Sequence, residues 1–182
     1  KIKKIRFIDN RSKQQVMRYD IENPVDPLQY SNLPEGPFEA VVISDYNKGF
    51  LDDRVIKKIL EKYPCKIFVD SKRKDLSIFK GCLVKINEHE AESSYGTDDL
   101  DLIVTMGSQG AKFGKEIFPT TQVEVYDVCG AGDVFLSSLV TRWLEIGDIK
   151  SSIMTANYCA SFSTTKLGTY QLTREEYEDL RV

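Results

Sequence analysis

The chain has 182 residues, 41% of them hydrophobic and 29% charged, with a formal net charge of −3. That length supports one well-buried core, and without a basic excess there is no electrostatic footprint for nucleic acid. The longest apolar runs, such as Ala40 to Ile43, are too short to span a bilayer, and no secretory signal opens the chain, so no membrane association and a cytoplasmic location are expected. Cys65, Cys82, Cys129 and Cys159 form no C-x-x-C pair and His89 is the sole histidine, which excludes a His-pair metal site and makes a Ser-His-Asp triad a poor fit. Reduced thiols are expected, with Cys65 and Cys82 acting as small hydrophobes in apolar runs.

Lys1 to Asp9 and Gln14 to Glu22 read as two strands around the polar turn Asn10-Arg11-Ser12-Lys13. Asn23 to Pro37 holds four of the six prolines and reads as a connector. The texture then changes. Glu39 to Asp45 is a continuous apolar run ending in polar residues, the pattern of a buried parallel strand. Asp52 and Asp53 open a helix that runs through Tyr63 and is closed by Pro64. Lys66 to Asp70, Cys82 to Asn87 and Leu102 to Met106 are further buried strands, with a short helix over Glu88 to Ser94. Ala111 to Phe113 and Gln122 to Tyr126 are predicted to pair antiparallel around a turn at Gly114 to Thr121. Helices over Ala131 to Ile146 and Ile149 to Lys166 follow, and Thr173-Arg-Glu-Glu176 is a capping-box start for a last one. Alternating strands and helices give an α/β fold with a mostly parallel sheet. Ligands of such sheets lie at the carboxyl ends of the strands, which directs attention to Asp45, Asp70, Asn87 and Thr105.

The stretch richest in chemistry is Asp127-Val-Cys-Gly-Ala-Gly-Asp133. Its glycines let backbone approach a ligand, and a helix begins at once, so free N–H groups and the positive end of the helix dipole face one point. An Asp in that first turn stays ionised and can accept a proton. Such a carboxylate beside an anion hole suits phosphoryl transfer. From these residues alone a plainer possibility stands beside it: a helix start with glycines for a tight turn and an ordinary first-turn acid.

The same stretch closely resembles the second signature of the ribokinase/PfkB carbohydrate kinases, D-T-x-G-A-G-D-x-F. Other segments match in order. Ile43-Ser-Asp-Tyr-Asn-Lys-Gly-Phe-Leu51 is similar to the S-D-Y-x-K-G-x-L segment of the D-glycero-β-D-manno-heptose-7-phosphate kinases. Asp70-Ser-Lys72 resembles their D-P-K, Lys85-Ile-Asn87-Glu-His-Glu90 the N-x-x-E element, and Val104-Thr-Met-Gly107-Ser-Gln-Gly110 the V-T-x-G-x-x-G strand and turn. Ala156-Asn157-Tyr-Cys-Ala160 and Lys166-Leu-Gly-Thr169 resemble the closing A-N-x-x-A and K-L-G-T.

The resemblance implies a ribokinase-like α/β fold and transfer of phosphate from ATP to a sugar or sugar-phosphate hydroxyl. It implies Asp133 as base, with Gly130, Ala131 and Gly132 as anion hole. Asn87 and Glu90 would place Mg²⁺ and the phosphates through water, Thr105, Gly107 and Gly110 would lie near the nucleotide, and Asn157 near the adenine. Asp45 is carried as a weak substrate candidate. Lys48 and Lys72 are suggestive phosphate partners, though a solvated loop accounts for each slightly better. Residues 1–37 are expected to supply lid-type strands and the connector, and 38–182 the nucleotide-binding and catalytic domain.

Three departures qualify the resemblance. The family's N-terminal portion with its G-G-x-x-x-N sugar motif has no match here, so the chain is expected to begin partway through the fold. A homodimer or a separately supplied N-terminal segment would then cover exposed apolar surface. The connection between Asn87 and Val104 is short, enough for a minimal crossover, and is expected to cover one sheet face thinly. Cys129 stands where the family has Thr. The alternative to a working enzyme is a truncated or degenerate kinase that binds nucleotide or a partner without catalysis.

Overall fold

The structure is a computed structural model and describes residues 3–11 and 15–182. Lys1, Ile2, Ser12, Lys13 and Gln14, which belong to the two predicted opening strands and their turn, lie outside the described residues. The first element is a two-stranded antiparallel ribbon of β1 (Lys3–Ile8) and β2 (Gln15–Ile21). Directly opposed residues share a face. Lys4 and Arg6 with Asp20 and Arg18 therefore make one face charged, while Ile5 and Phe7 with Tyr19 and Met17 make the other apolar. Those four apolar side chains are exposed.

The main sheet has six strands in the order β3 (Ala40–Asp45), β4 (Lys66–Ser71), β5 (Leu83–Asn87), β6 (Asp101–Thr105), β7 (Ala111–Phe113) and β8 (Glu116–Phe118). The first four run parallel, as their uninterrupted apolar sequences require, and the last two are antiparallel. On one face pack α1 (Asp53–Lys62) and the six-residue α2 (Glu88–Ser93). Helix α1 starts where Asp52 accepts the N–H of Val55 and buries Val55, Ile56 and Ile59, each contributing about 1.5–3 kcal/mol through burial. On the other face lie α3 (Ala131–Ile146) and α4 (Ile149–Ser163), with Phe68 edge-on to Trp143 between sheet and helix. The last helix is α5 (Arg174–Leu180), begun by a capping box in which Thr173 and Glu176 bond reciprocally.

The two faces are not equally covered. Ile103, facing α3 and α4, is fully buried, while Leu102 and Val104, facing the short α2 connection, are half-buried. Helix α4 also ends three residues before Lys166, where Thr164 and Thr165 turn the chain with bonds to Ser161 and Phe162.

One predicted element is wrong. The hairpin partner of β7 is Glu116–Phe118, not Gln122 to Tyr126. Gly114 at φ +59° makes the turn tight enough for Phe113 and Glu116 to pair. Pro119, with no N–H to give, stops the strand. Residues 122–126 form an irregular segment, and Val123 and Val125 face a cavity rather than a sheet partner. The alternating apolar residues line the cavity, with Val123 half-buried and Val125 exposed.

Candidate active site

The carboxyl ends of β3 to β6 and the amino end of α3 meet along one edge of the sheet. Asp127 organises the approach to α3: one carboxylate oxygen accepts the N–H of Cys129 (2.9 Å) and the other that of Gly168 (3.0 Å). That ties the glycine loop to the Lys166-Leu-Gly-Thr169 segment. Gly130 then turns at φ +84°, a left-handed conformation that favours glycine, with Thr169 packed against it.

The set of free amides at this helix start is smaller than the sequence implied. The Ala131 N–H is bonded to the Val128 carbonyl at 3.2 Å, and that of Asp133 to Gly130 at 3.0 Å. Among the described residues the N–H groups of Gly130 and Gly132 donate to no acceptor, and Gly132 lines the adjoining cavity. Ala131 lies in the wall with its amide spent on the turn that begins the helix, and as a donor it is corrected out of the set. Asp133 itself is exposed, on the first turn of α3. It lies within electrostatic reach of the Tyr46 phenol, whose pKa is raised by burial first and then by Asp133 and Asp70.

On one side of this point a cavity of about 210 Å³ opens. Its wall contains Thr105, Gly107 and Gly110 after β6, the segment 120–125, Ala131, Gly132 and Phe135 of α3, and Asn157 and Ala160 of α4. Apolar surface from Val123, Val125, Val128 and Phe135 suits a flat heterocycle, and the cavity runs down to the Gly132 backbone where an anion would sit. Asn157 is buried and its amide nitrogen donates to the carbonyls of Phe118 (2.7 Å) and Pro119 (3.4 Å). Its donor is thus used to fix the cavity rim.

Between cavity and sheet is a network of charges. Asn87 and Glu90 form a capping box on α2: the Asn87 side chain accepts the Glu90 N–H and the Glu90 carboxylate accepts the Asn87 N–H, each at 2.8 Å. The other Glu90 oxygen accepts from Lys72 at 2.5 Å. Burial opposes the charge on Lys72, but Glu90 and Asp70 outweigh it and raise its pKa. Lys85, a residue not singled out from sequence, is 3% exposed and donates to Asp70 at 2.8 Å. The two sit opposite each other across β4 and β5, on the face covered by α3. Its ammonium touches the first turn of that helix: a Cβ on Gly132 would stand 2.8 Å from Lys85 Nζ.

A second cavity, about 350 Å³, lies at the β3 end of the same sheet edge, bounded by Lys4, Glu22, Asp45, Tyr46 and Lys48. The charged face of the ribbon roofs this side. Lys4 Nζ stands 5.1 Å from the centre of the Tyr46 ring, and Arg6 donates to Cys129 Sγ at 3.0 Å. Lys48 is paired with Glu22 at 2.7 Å. The Asp45 carboxylate is committed to the Asn47 N–H (2.8 Å), the Ser71 hydroxyl (3.3 Å) and Arg73 (2.5 Å). Arg73 also binds Asp53 (2.5 Å) and the Leu51 carbonyl (2.6 Å), closing the 45–53 loop onto β4. Asp45 therefore shapes this cavity by holding its loop. No sequence signal marks Arg73 or Lys85 as site residues, because their partners are distant in the chain.

For a magnesium ion the fit is of one kind only. No group of three or more His, Cys, Asp or Glu among the described residues could cage a metal. Asn87 and Glu90 do offer oxygen at the strand end, the donor type Mg²⁺ takes through its own waters. No helix among the described residues is long and apolar enough to cross a membrane.

Known proteins resemble this chain in sequence and in fold. The chain is 33% identical over 201 residues to the bifunctional protein HldE of Campylobacter curvus, and 31% identical over 209 residues to that of Aliarcobacter butzleri. These matches cover 93% and 96% of the chain but 43% of each relative, so the chain spans less than half their length. Among solved structures, ribokinase from Thermotoga maritima superposes with a TM-score of 0.77 at 18% identity, covering 98% of this chain and 69% of that one. Fructokinase from Vibrio cholerae, in its fructose-, ADP- and calcium-bound form, gives 0.71 at 17%, covering 91% and 68%. At those identities the likeness establishes the ribokinase-like fold. The model of the pfkB family carbohydrate kinases matches residues 80–176, from β5 through the glycine loop and α3 to the capping box of α5. With more than half of its length inside that match, this chain belongs to the pfkB family of carbohydrate kinases.

Proposed function

We propose that the chain transfers the γ-phosphoryl group of Mg-ATP to a hydroxyl of a sugar or sugar phosphate, most like the conversion of heptose 7-phosphate to the 1,7-bisphosphate. The observation that carries this reading is the meeting, at one helix start, of the Asp133 carboxylate with the Gly130 and Gly132 amides, which donate to no acceptor among the described residues, beside the cavity that Gly132 lines. The nucleotide base occupies the cavity walled by Val123, Val125 and Phe135, and its phosphates run towards Gly132. The acceptor enters under the ribbon. Asp133 takes the hydroxyl proton as that oxygen attacks the γ-phosphorus and the bond to the ADP oxygen breaks. Positioned base catalysis of this kind is worth about 10²–10⁴-fold, and an anion-hole donor on the order of 3 kcal/mol. Magnesium, held through water by Asn87 and Glu90, would neutralise the phosphate charge.

The roof over the acceptor cavity supports an anionic acceptor. Lys4 and Arg6 share one face of the described ribbon with the Arg18–Asp20 ion pair, and Lys4 lines the cavity itself beside the Lys48–Glu22 pair. The opposite, apolar face of the ribbon supports pairing with a second copy or with a separate N-terminal segment. Size exclusion with light scattering tests that pairing, and a stable monomer contradicts the second copy.

Coupled turnover against a panel of sugars and sugar phosphates tests the reaction. Formation of ADP that depends on a phosphorylated acceptor is expected. Nucleotide binding without turnover on any acceptor would favour the second reading, a kinase fold that binds nucleotide without catalysis.

A further inference from the structure

We propose that Lys85 directly contacts the phosphoryl group being transferred and that Asp70 positions it, an inference that rests on the kinase reading above. The side chain of Lys85 is 4% exposed and that of Asp70 10%. A lysine placed on the α3 face of the sheet, next to Leu83, loses its hydration and needs compensation. Asp70 supplies one hydrogen bond. An ammonium has three N–H groups to give, and nothing in the Asp70 contact uses the other two.

The location of that ammonium is the informative part. It lies against Gly132, one residue from Asp133, so tightly that a Cβ at 132 would be 2.8 Å away. The amino end of a helix is positive and favours anions, so a cation there opposes the dipole. Asp70 offsets the repulsion. An anion at the Gly132 N–H turns both positive groups into attractive ones. Because Gly132 adjoins the proposed base, the phosphate in question is the one in transit, present in ATP and absent from ADP.

A purely structural ion pair predicts something else. Replacing both partners of such a pair by neutral groups of similar size is often harmless, whereas a phosphate contact cannot be restored that way. Calorimetric titration with Mg-ATP and Mg-ADP separates the two for the wild-type chain, Lys85→Met, Asp70→Asn and the double variant Lys85→Met with Asp70→Asn. Folding of each is checked by thermal melting. A lost charge-assisted hydrogen bond corresponds to about ten- to a hundred-fold weaker Mg-ATP binding. That loss is expected in Lys85→Met and persists in the double variant, with Mg-ADP binding retained. Asp70→Asn alone is expected to narrow the preference for ATP over ADP by a smaller factor. Equal losses for both nucleotides, an unchanged ratio, or recovery of Mg-ATP binding in the double variant would each overturn the role of Lys85 while leaving the kinase reading in place. A wild-type chain that binds neither nucleotide would remove both.

Discussion

The two cavities at this edge of the sheet are built by different means. The nucleotide-side cavity is walled by the ends of a buried sheet and by α3 and α4, whose contact surfaces belong to the core. The acceptor-side cavity is bounded by an exposed ribbon and by a loop that one arginine holds in place. The first inherits its shape from folding itself, while the second depends on a few polar contacts near water. On the proposed reading, nucleotide recognition is thereby made robust and acceptor recognition adjustable.

That contrast can be broken most forcefully at Arg73. Replacing it with Met leaves the Asp45 carboxylate, 2% exposed, without its cationic partner. Breaking a buried pair costs about 3–5 kcal/mol, and the low end is expected because Arg73 retains 16% exposure. Urea unfolding should record the loss, with acceptor KM rising more than nucleotide Kd. A change below about 1 kcal/mol would mean that the loop is held otherwise. Gly132→Ala acts on the boundary between the cavities. The new methyl group displaces a buried, paired ammonium, so a stability loss of about 1–3 kcal/mol is expected, measured in the same way.

Smaller effects sharpen the comparison. Arg6→Ala removes an exposed cation from the ribbon, where single charges contribute roughly 0.2–1 kcal/mol. Acceptor KM should rise a few-fold and Mg-ATP affinity stay put; the reverse pattern would place Arg6 on the nucleotide side. Smallest is an acid effect on the helix-built side. The Asp148 carboxyl accepts the Ser151 N–H at the start of α4, and that bond holds its pKa below the usual carboxylate value. A depressed folded pKa stabilises above the unfolded value and loses that stability as pH falls through the folded one. Asp148→Ala should therefore lower the melting temperature at neutral pH and bring the two proteins together under strong acid. A constant gap at every pH would contradict the titration.

Most of the frame was legible because local pattern and burial agree. Lys66-Ile-Phe-Val-Asp70 is apolar on both sides and lies inside the sheet, and the reciprocal bonds of Thr173 and Glu176 follow from their spacing. The Asp127 to Asp133 loop was legible for the same local reason. Gln122 to Tyr126 misled because apolar alternation does not by itself supply a strand partner, and here the valines line a cavity instead. Asn87 and Glu90 carry a helix cap that spacing alone could have revealed. Asp70 with Lys85, and Asp45 with Arg73, escaped because their charges meet only after strands pair. The Ala131 amide was misassigned because which N–H groups stay free depends on how the preceding turn closes.

The central claim is that the Asp133 carboxylate takes the acceptor's proton at a phosphate site it does not itself form. Single-turnover transfer from labelled Mg-ATP, run beside calorimetric Mg-ATP binding for wild type and Asp133→Asn, tests it directly. Transfer should fall by about 10²–10⁴-fold in the variant, with Mg-ATP bound nearly as tightly as before. Undiminished transfer in Asp133→Asn would contradict the assignment.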